Sequence, residues 1–260
     1  MKIKTNDIET NYVIEGEGPW VTMSHSLACN LSMWDEQAEL LSRKFKVLRY
    51  DTRGHGGSSA PPGPYTLEQL ADDTQALFDA LGIQRTHWVG LSMGGMVGQA
   101  FALEHAGRLG RLVLANTTSS YGPEGRRMWE ARAKAVEAGG VAAIKDMVMS
   151  RYFSEEFRER HPEVVTQVAG RFLETPVEGY LGCCDAIREL DYTADLARIH
   201  ARTLVIAGEH DAGTPPAMSE EIARRIPGAR MAVIPGAAHL SAVEKPTEFA
   251  ALARDFLASP

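Results

Sequence analysis

Thr86-His87-Trp88-Val89-Gly90-Leu91-Ser92-Met93-Gly94-Gly95 is the stretch around which the chain is organised. An apolar run enters it, and a helix-compatible run, Met96 to His105, leaves it. Glycines stand two residues before and two residues after Ser92. This Gly-x-Ser-x-Gly spacing suits a nucleophile elbow between a strand and a helix. The turn must be so sharp that the serine takes a strained backbone conformation and presents its hydroxyl away from the sheet. Side chains two residues to either side would collide there, so both positions are glycine. The helix that follows aims free amides and its positive dipole end at the place where an oxyanion would form.

Upstream, Lys2 to Thr5 and Glu9 to Glu15 alternate polar and apolar residues like an edge hairpin. Trp20 to His25 and Lys46 to Asp51 read as the next two strands, separated by an amphipathic helix over Trp34 to Arg43. Thr66 and Gln69 open a helix that Gly82 stops after Leu81. The elbow strand is the fifth. Downstream, strands are expected at Arg111 to Ala115, Thr203 to Ala207 and Arg230 to Ile234, with helices over Pro216 to Arg225 and Pro246 to Leu257. Strands alternating with helices predict an α/β fold: a mostly parallel eight-stranded sheet with helices on both faces. Residues 121–191 break the rhythm, being helical in composition and rich in arginine and glutamate. They read as a helical cap inserted after the sixth strand, leaving 1–120 and 192–260 as the core.

A serine hydroxyl needs a base, and the base needs an orienting carboxylate. On folds with this elbow the partners follow in the chain order serine, acid, histidine. Two loops at the carboxyl ends of predicted strands supply them: Gly208-Glu209-His210-Asp211 and Pro235-Gly236-Ala237-Ala238-His239. Asp211 is favoured as the acid over its rival Glu209, and His239 as the base. The oxyanion hole is expected from the amides of Met93 and Leu27. Gly54-His55-Gly56-Gly57 lacks the spacing of a phosphate loop and reads as a structural turn in the pocket wall.

A net charge of −7 over 260 residues argues against nucleic acid or an anionic membrane as partner. No apolar stretch approaches the roughly 20 residues of a membrane span. Cys29, Cys183 and Cys184 make no disulfide framework and suit free thiols in a reducing cytoplasm. No pair of histidines has metal-ligand helix spacing with a carboxylate, so no metal site is expected, and serine hydrolase chemistry needs no cofactor.

Together these residues resemble the α/β-hydrolase superfamily over nearly the whole chain. The matching pieces are Ser24-His25-Ser26, Asp51 to Gly56, Gly90 to Gly95, Gly208 to Asp211, and His239 with Glu244-Lys245-Pro246 behind it. Within it the chain looks most like the 3-oxoadipate enol-lactonases. Ser26-Leu27-Ala28-Cys29-Asn30-Leu31-Ser32-Met33-Trp34-Asp35, Leu48 to Gly56 and Arg151-Tyr152-Phe153 are the nearest echoes. Ala28 stands where that group commonly has glycine. The resemblance implies hydrolysis of a small lactone carrying a carboxylate. The residues alone imply an ester or lactone hydrolase, which leaves a broad carboxylesterase, a carbon–carbon bond hydrolase, a haloperoxidase-like activity or a non-catalytic receptor as alternatives. A substrate carboxylate would need a local cation in so acidic a protein. Trp129 and Arg132, three apart on one predicted cap-helix face, are the expected pocket-lining pair.

Overall fold

The computed structural model describes residues 1–259. Its strands are β1 (Lys2–Thr5), β2 (Ile8–Glu15), β3 (Trp20–Ser24), β4 (Lys46–Tyr50), β5 (Thr86–Leu91), β6 (Leu109–Ala115), β7 (Arg202–Gly208) and β8 (Arg230–Ile234). They form one sheet in the order β1-β2-β4-β3-β5-β6-β7-β8. β1 and β2, and β2 and β4, pair antiparallel; every later pair is parallel. The inner parallel strands are covered on both faces, which is why they read as continuous apolar runs rather than alternating ones. In β5 every residue from Trp88 to Leu91 is buried, as is every residue of β7 after Arg202.

Eleven α-helices are present among the described residues: α1 (Asp35–Leu41), α2 (Leu67–Leu81), α3 (Met93–Glu104), α4 (Gly122–Gly139), α5 (Lys145–Tyr152), α6 (Glu155–Arg160), α7 (Pro162–Leu173), α8 (Val177–Arg188), α9 (Pro216–Arg225), α10 (Ser241–Glu244) and α11 (Pro246–Ala258). None is long and apolar enough to cross a membrane. The signals at the ends of α2 act as expected: the Thr66 hydroxyl accepts the Gln69 amide, and Gly82 takes the left-handed conformation. α1 is shorter than its apolar pattern suggests. Asn30 caps a 3-10 turn over Leu31–Trp34 that buries Trp34, and the α-helix starts only afterwards. α3 is buried from Met93 to Ala102, so its polar face is missing. It packs on the sheet through the stacked rings of Trp88 and Phe101, 5.2 Å apart.

Helices α4 to α8 all fall between β6 and β7. α4 packs along α8, and an antiparallel bridge between Ser120 and Asp191 joins the two ends of the excursion. This places a helical layer over the carboxyl ends of the parallel strands, where the loops bearing the candidate residues emerge.

Candidate active site

Ser92 occupies the turn between β5 and α3 with φ +56° and ψ −117°. A non-glycine residue held there costs about 1–3 kcal/mol and persists only when its surroundings determine it. The surroundings do. The Ser92 amide donates to Ala115 O at 2.9 Å, and its carbonyl accepts the Gly95 and Met96 amides and the Thr117 hydroxyl. A Cβ on Gly90 would lie 2.1 Å from Gly94 O, and one on Gly94 would lie 2.0 Å from Ser24 O. Only glycine fits either position, as the spacing requires.

Asp211 and His239 come together 28 residues apart in sequence: His239 Nδ1 lies 2.9 Å from Asp211 Oδ2. The carboxylate also accepts the Gly213 and Thr214 amides, the Thr214 hydroxyl and the Asn116 side-chain amide, all within 2.9 Å. Burial works to raise the Asp211 pKa. The adjacent imidazole and the Thr214 and Asn116 donors outweigh it and hold the carboxyl below its ordinary value. An ionised Asp211 keeps the proton on Nδ1 and leaves Nε2 free to accept one. Glu209 points elsewhere. Its carboxylate accepts the Gly236 amide at 2.8 Å, and its side chain is half exposed.

Asn116 was not singled out by any motif, yet it ties this arrangement together. It sits at φ +46° directly after β6, donates to Asp211 and to Ala238 O, and accepts the Ser241 hydroxyl. Its position at the carboxyl end of a parallel strand was the available signal.

The loop carrying Leu27 is braced by two buried histidines. His25 Nε2 accepts the Thr52 amide at 3.0 Å, and His55 Nε2 accepts the Ala28 amide at 2.9 Å. Burial depresses both, His55 to about 3, so each remains a neutral acceptor. The Leu27 amide donates no hydrogen bond among the described residues, and neither does the Met93 amide at the start of α3. The Gly54–Gly57 turn therefore has a different place from the expected one. His55 holds the loop bearing Leu27, Gly54 packs against Gly179 of α8, and Gly56 and Gly57 border a separate cavity. It braces the loop behind the pocket instead of lining it.

Ser26, Leu27, Ser92 and His239 line one narrow cavity of about 40 Å³. The cap closes it with Tyr121, Met128, Trp129, Arg132, Val148, Arg151 and Tyr152. Trp129 and Arg132 thus meet Ser92 and His239 at one cavity. The Arg132 guanidinium lies 4.7 Å from the Trp129 ring centroid and 5.6 Å from that of Tyr180, and its Nε donates to the Tyr180 hydroxyl. The Arg151 guanidinium donates to the Met128 sulfur at 3.8 Å. Neither guanidinium has a carboxylate partner among the described residues. Arg126, a neighbour on α4, is instead an exposed residue paired with Glu189. A larger cleft of about 800 Å³ lies at the amino ends of the strands, around Trp20, His87 and His200. Among the described residues neither of its histidines is paired with a carboxylate, so chemistry rather than size identifies the site. Among the described residues no three metal-ligating side chains are gathered.

Comparison with known proteins agrees with this geometry. The family model for the alpha/beta hydrolase fold matches residues 19–246. The chain is 37% identical to 3-oxoadipate enol-lactonase 2 of Acinetobacter baylyi, over 95% of this chain and 92% of that one. The enol-lactonase from Burkholderia xenovorans superimposes with a TM-score of 0.96 at 41% identity, covering both chains completely. A thermophilic esterase from Thermogutta terrifontis, solved with malate bound, gives a TM-score of 0.93 at 34% identity over 99% of this chain and 97% of that one. The chain belongs to the α/β-hydrolase fold family, as one of its hydrolytic members.

Proposed function

We propose that the protein opens 3-oxoadipate enol-lactone to 3-oxoadipate through an acyl-enzyme on Ser92. His239 Nε2 takes the Ser92 proton as Oγ attacks the lactone carbonyl, and Asp211 steadies the imidazolium. The Leu27 and Met93 amides hold the tetrahedral oxyanion. The ring C–O bond then breaks, and the enolate that leaves recovers the proton and becomes the ketone. A water, giving its proton to His239, attacks the acyl-enzyme. Its oxygen stays in the new carboxylate, and Ser92 regains its hydrogen. No cofactor enters the balance.

The observation that carries the anionic substrate is the pair of guanidiniums, Arg132 and Arg151, that share the cavity with Ser92 and His239 and have no carboxylate of their own. A guanidinium facing the cavity without an anion keeps its charge-assisted bonds for a ligand, and a substrate carboxylate supplies the partner. Trp129 lies under the Arg132 guanidinium. The enol-lactonase relatives and the malate-bound esterase support the same reading. The narrow cavity favours a small acyl group over a long chain. Cys29, Cys183 and Cys184 are free and buried, which suits the reducing cytoplasm where such catabolism runs. The test compares kcat/KM on the enol-lactone with short neutral esters. A preference for the lactone of at least about 100-fold is expected, the upper end of one charge-assisted contact. Equal or better turnover of neutral esters would reassign the protein as a broad carboxylesterase.

A further inference from the structure

The end of α5 touches the core loops at several points. The Tyr152 hydroxyl donates to Leu27 O at 2.5 Å, and the Tyr152 carbonyl accepts the Leu240 amide at 2.9 Å. The Tyr152 ring lies over the His239 imidazole, with centroids 5.7 Å apart and planes inclined by 19°. Two residues on, Ser154 gives its hydroxyl and amide to Glu244, whose carboxylate also accepts the Ala238 amide at 2.8 Å. One cap residue thus meets both the base and the oxyanion loop, and the next turn fastens it to the loop that bears the base.

The Leu27–Ala28 peptide is where this contact acts. Its N–H donates to His55 and its carbonyl accepts from Tyr152, so it is gripped on both edges. Rotation of this peptide would change the Leu27 backbone angles and swing the preceding amide, the proposed oxyanion donor. Ala28 sits at φ +56°, a conformation the chain does not favour unaided. The loop therefore depends on its external contacts. His55 supplies one from the core, and Tyr152 supplies the other from the cap. Burial pushes the Tyr152 phenol well above its ordinary value, so it stays a donor at any working pH.

We infer that Tyr152 is a positioning residue through which the docked cap sets the Leu27 amide and the His239 ring for the transition state. The cap then assembles the reaction centre as well as covering it. This inference rests on Ser92 acting as nucleophile.

The experiment pairs Tyr152→Phe with Tyr152→Leu and assays both on the enol-lactone and on p-nitrophenyl acetate, with Ser92→Ala alongside. Removing an oxyanion donor costs about 10²- to 10³-fold, and here the donor is loosened rather than deleted. Tyr152→Phe should therefore lose about 10-fold in kcat on both substrates at unchanged KM, with its circular dichroism spectrum kept. Phenylboronic acid, which places a tetrahedral oxygen in the same hole, should bind more weakly by a similar factor. Tyr152→Leu should lose more, because the ring over His239 is gone as well. Wild-type kcat in Tyr152→Phe, or a loss confined to KM, would overturn the positioning role. So would a loss in kcat with phenylboronic acid affinity intact. An active Ser92→Ala would instead break the underlying serine mechanism, and the two failures are distinguishable.

Discussion

The core loop bearing Asp211 and the cap helix bearing Arg132 meet at one cavity, but they hold their charges in opposite ways. Asp211 is saturated: His239, Asn116, Thr214 and the Gly213 amide take up both oxygens. Arg132 has an aromatic floor and one phenol, and no anion. A third buried charge calibrates the contrast. Arg53, 3% exposed, is gripped by Asp73 and Asp7, and this pairing raises its pKa despite burial. A charge that carries its own partners is structural, or serves a fixed reaction. A charge left without one keeps its bonding capacity for a ligand. On this reading, damage on the core side should strike every substrate alike, whereas damage to the cap's guanidiniums should discriminate between substrates.

The largest expected effect is on the core side. Ser92→Ala should lower kcat by about 10⁴-fold or more on lactone and ester alike, with the circular dichroism spectrum unchanged. Substantial esterase activity in the folded variant would remove the nucleophile from the comparison. Asp211→Asn should follow at about 10⁴-fold, because an amide there leaves His239 in the wrong tautomer. Glu209→Gln should stay near wild type, since Glu209 only accepts the Gly236 amide on an open surface. Parity between these two variants would undo the assignment of the acid.

A pH experiment probes the bracing of the oxyanion loop. His55 is neutral when folded, with a pKa near 3, against about 6.5 unfolded. The unfolded chain therefore binds the extra proton first as pH falls. Stability should be level above about pH 6.5 and should drop below it. His55 alone contributes roughly 1.4 kcal/mol per pH unit down to about pH 3, and His25 adds in the same direction. Urea midpoints measured from pH 7 to pH 4 test this. A flat profile would mean that neither imidazole is held neutral.

On the cap side, Arg132→Gln should cost about 10- to 100-fold in kcat/KM on the enol-lactone and leave p-nitrophenyl acetate nearly unchanged. Arg151→Gln should show the same asymmetry at smaller size, since its side chain is less firmly seated. Parallel losses on both substrates would make these arginines structural, like Arg53.

What was legible in the sequence follows the same divide. The elbow is legible because backbone collision leaves Gly90 and Gly94 no alternative, and Asp211 and His239 because strand ends fix where loops emerge. Asn116, His25 and His55 are as deeply built in, but they act through side-chain hydrogen bonds to distant backbone, for which no local spacing exists. Tyr152 is hidden further, since its role needs the cap docked on β-strand loops more than a hundred residues away. The α4 face carrying Trp129 and Arg132 could be read from helical periodicity. The lack of an acid beside Arg132 could not, because Glu130 and Glu137 are close in sequence and point elsewhere.

The smallest effect concerns Ala28, an alanine held in the left-handed conformation that favours glycine. Its φ of +56° costs an alanine about 1–2 kcal/mol, and a glycine almost nothing. Glycine also gives the unfolded chain more freedom, which takes back about 0.4–1 kcal/mol. Ala28→Gly should therefore gain between about 0 and 1.6 kcal/mol, or up to about 3–6 °C in melting temperature for a chain of this size. Its activity should not change, because the adjoining peptide is gripped by His55 and Tyr152 and not by the alanine methyl group. A fall in kcat on both substrates at equal or higher stability would show that the loop was held by the intrinsic stiffness of Ala28. The oxyanion loop would then belong to the self-sufficient core side of the comparison, and the contact from the cap would be dispensable.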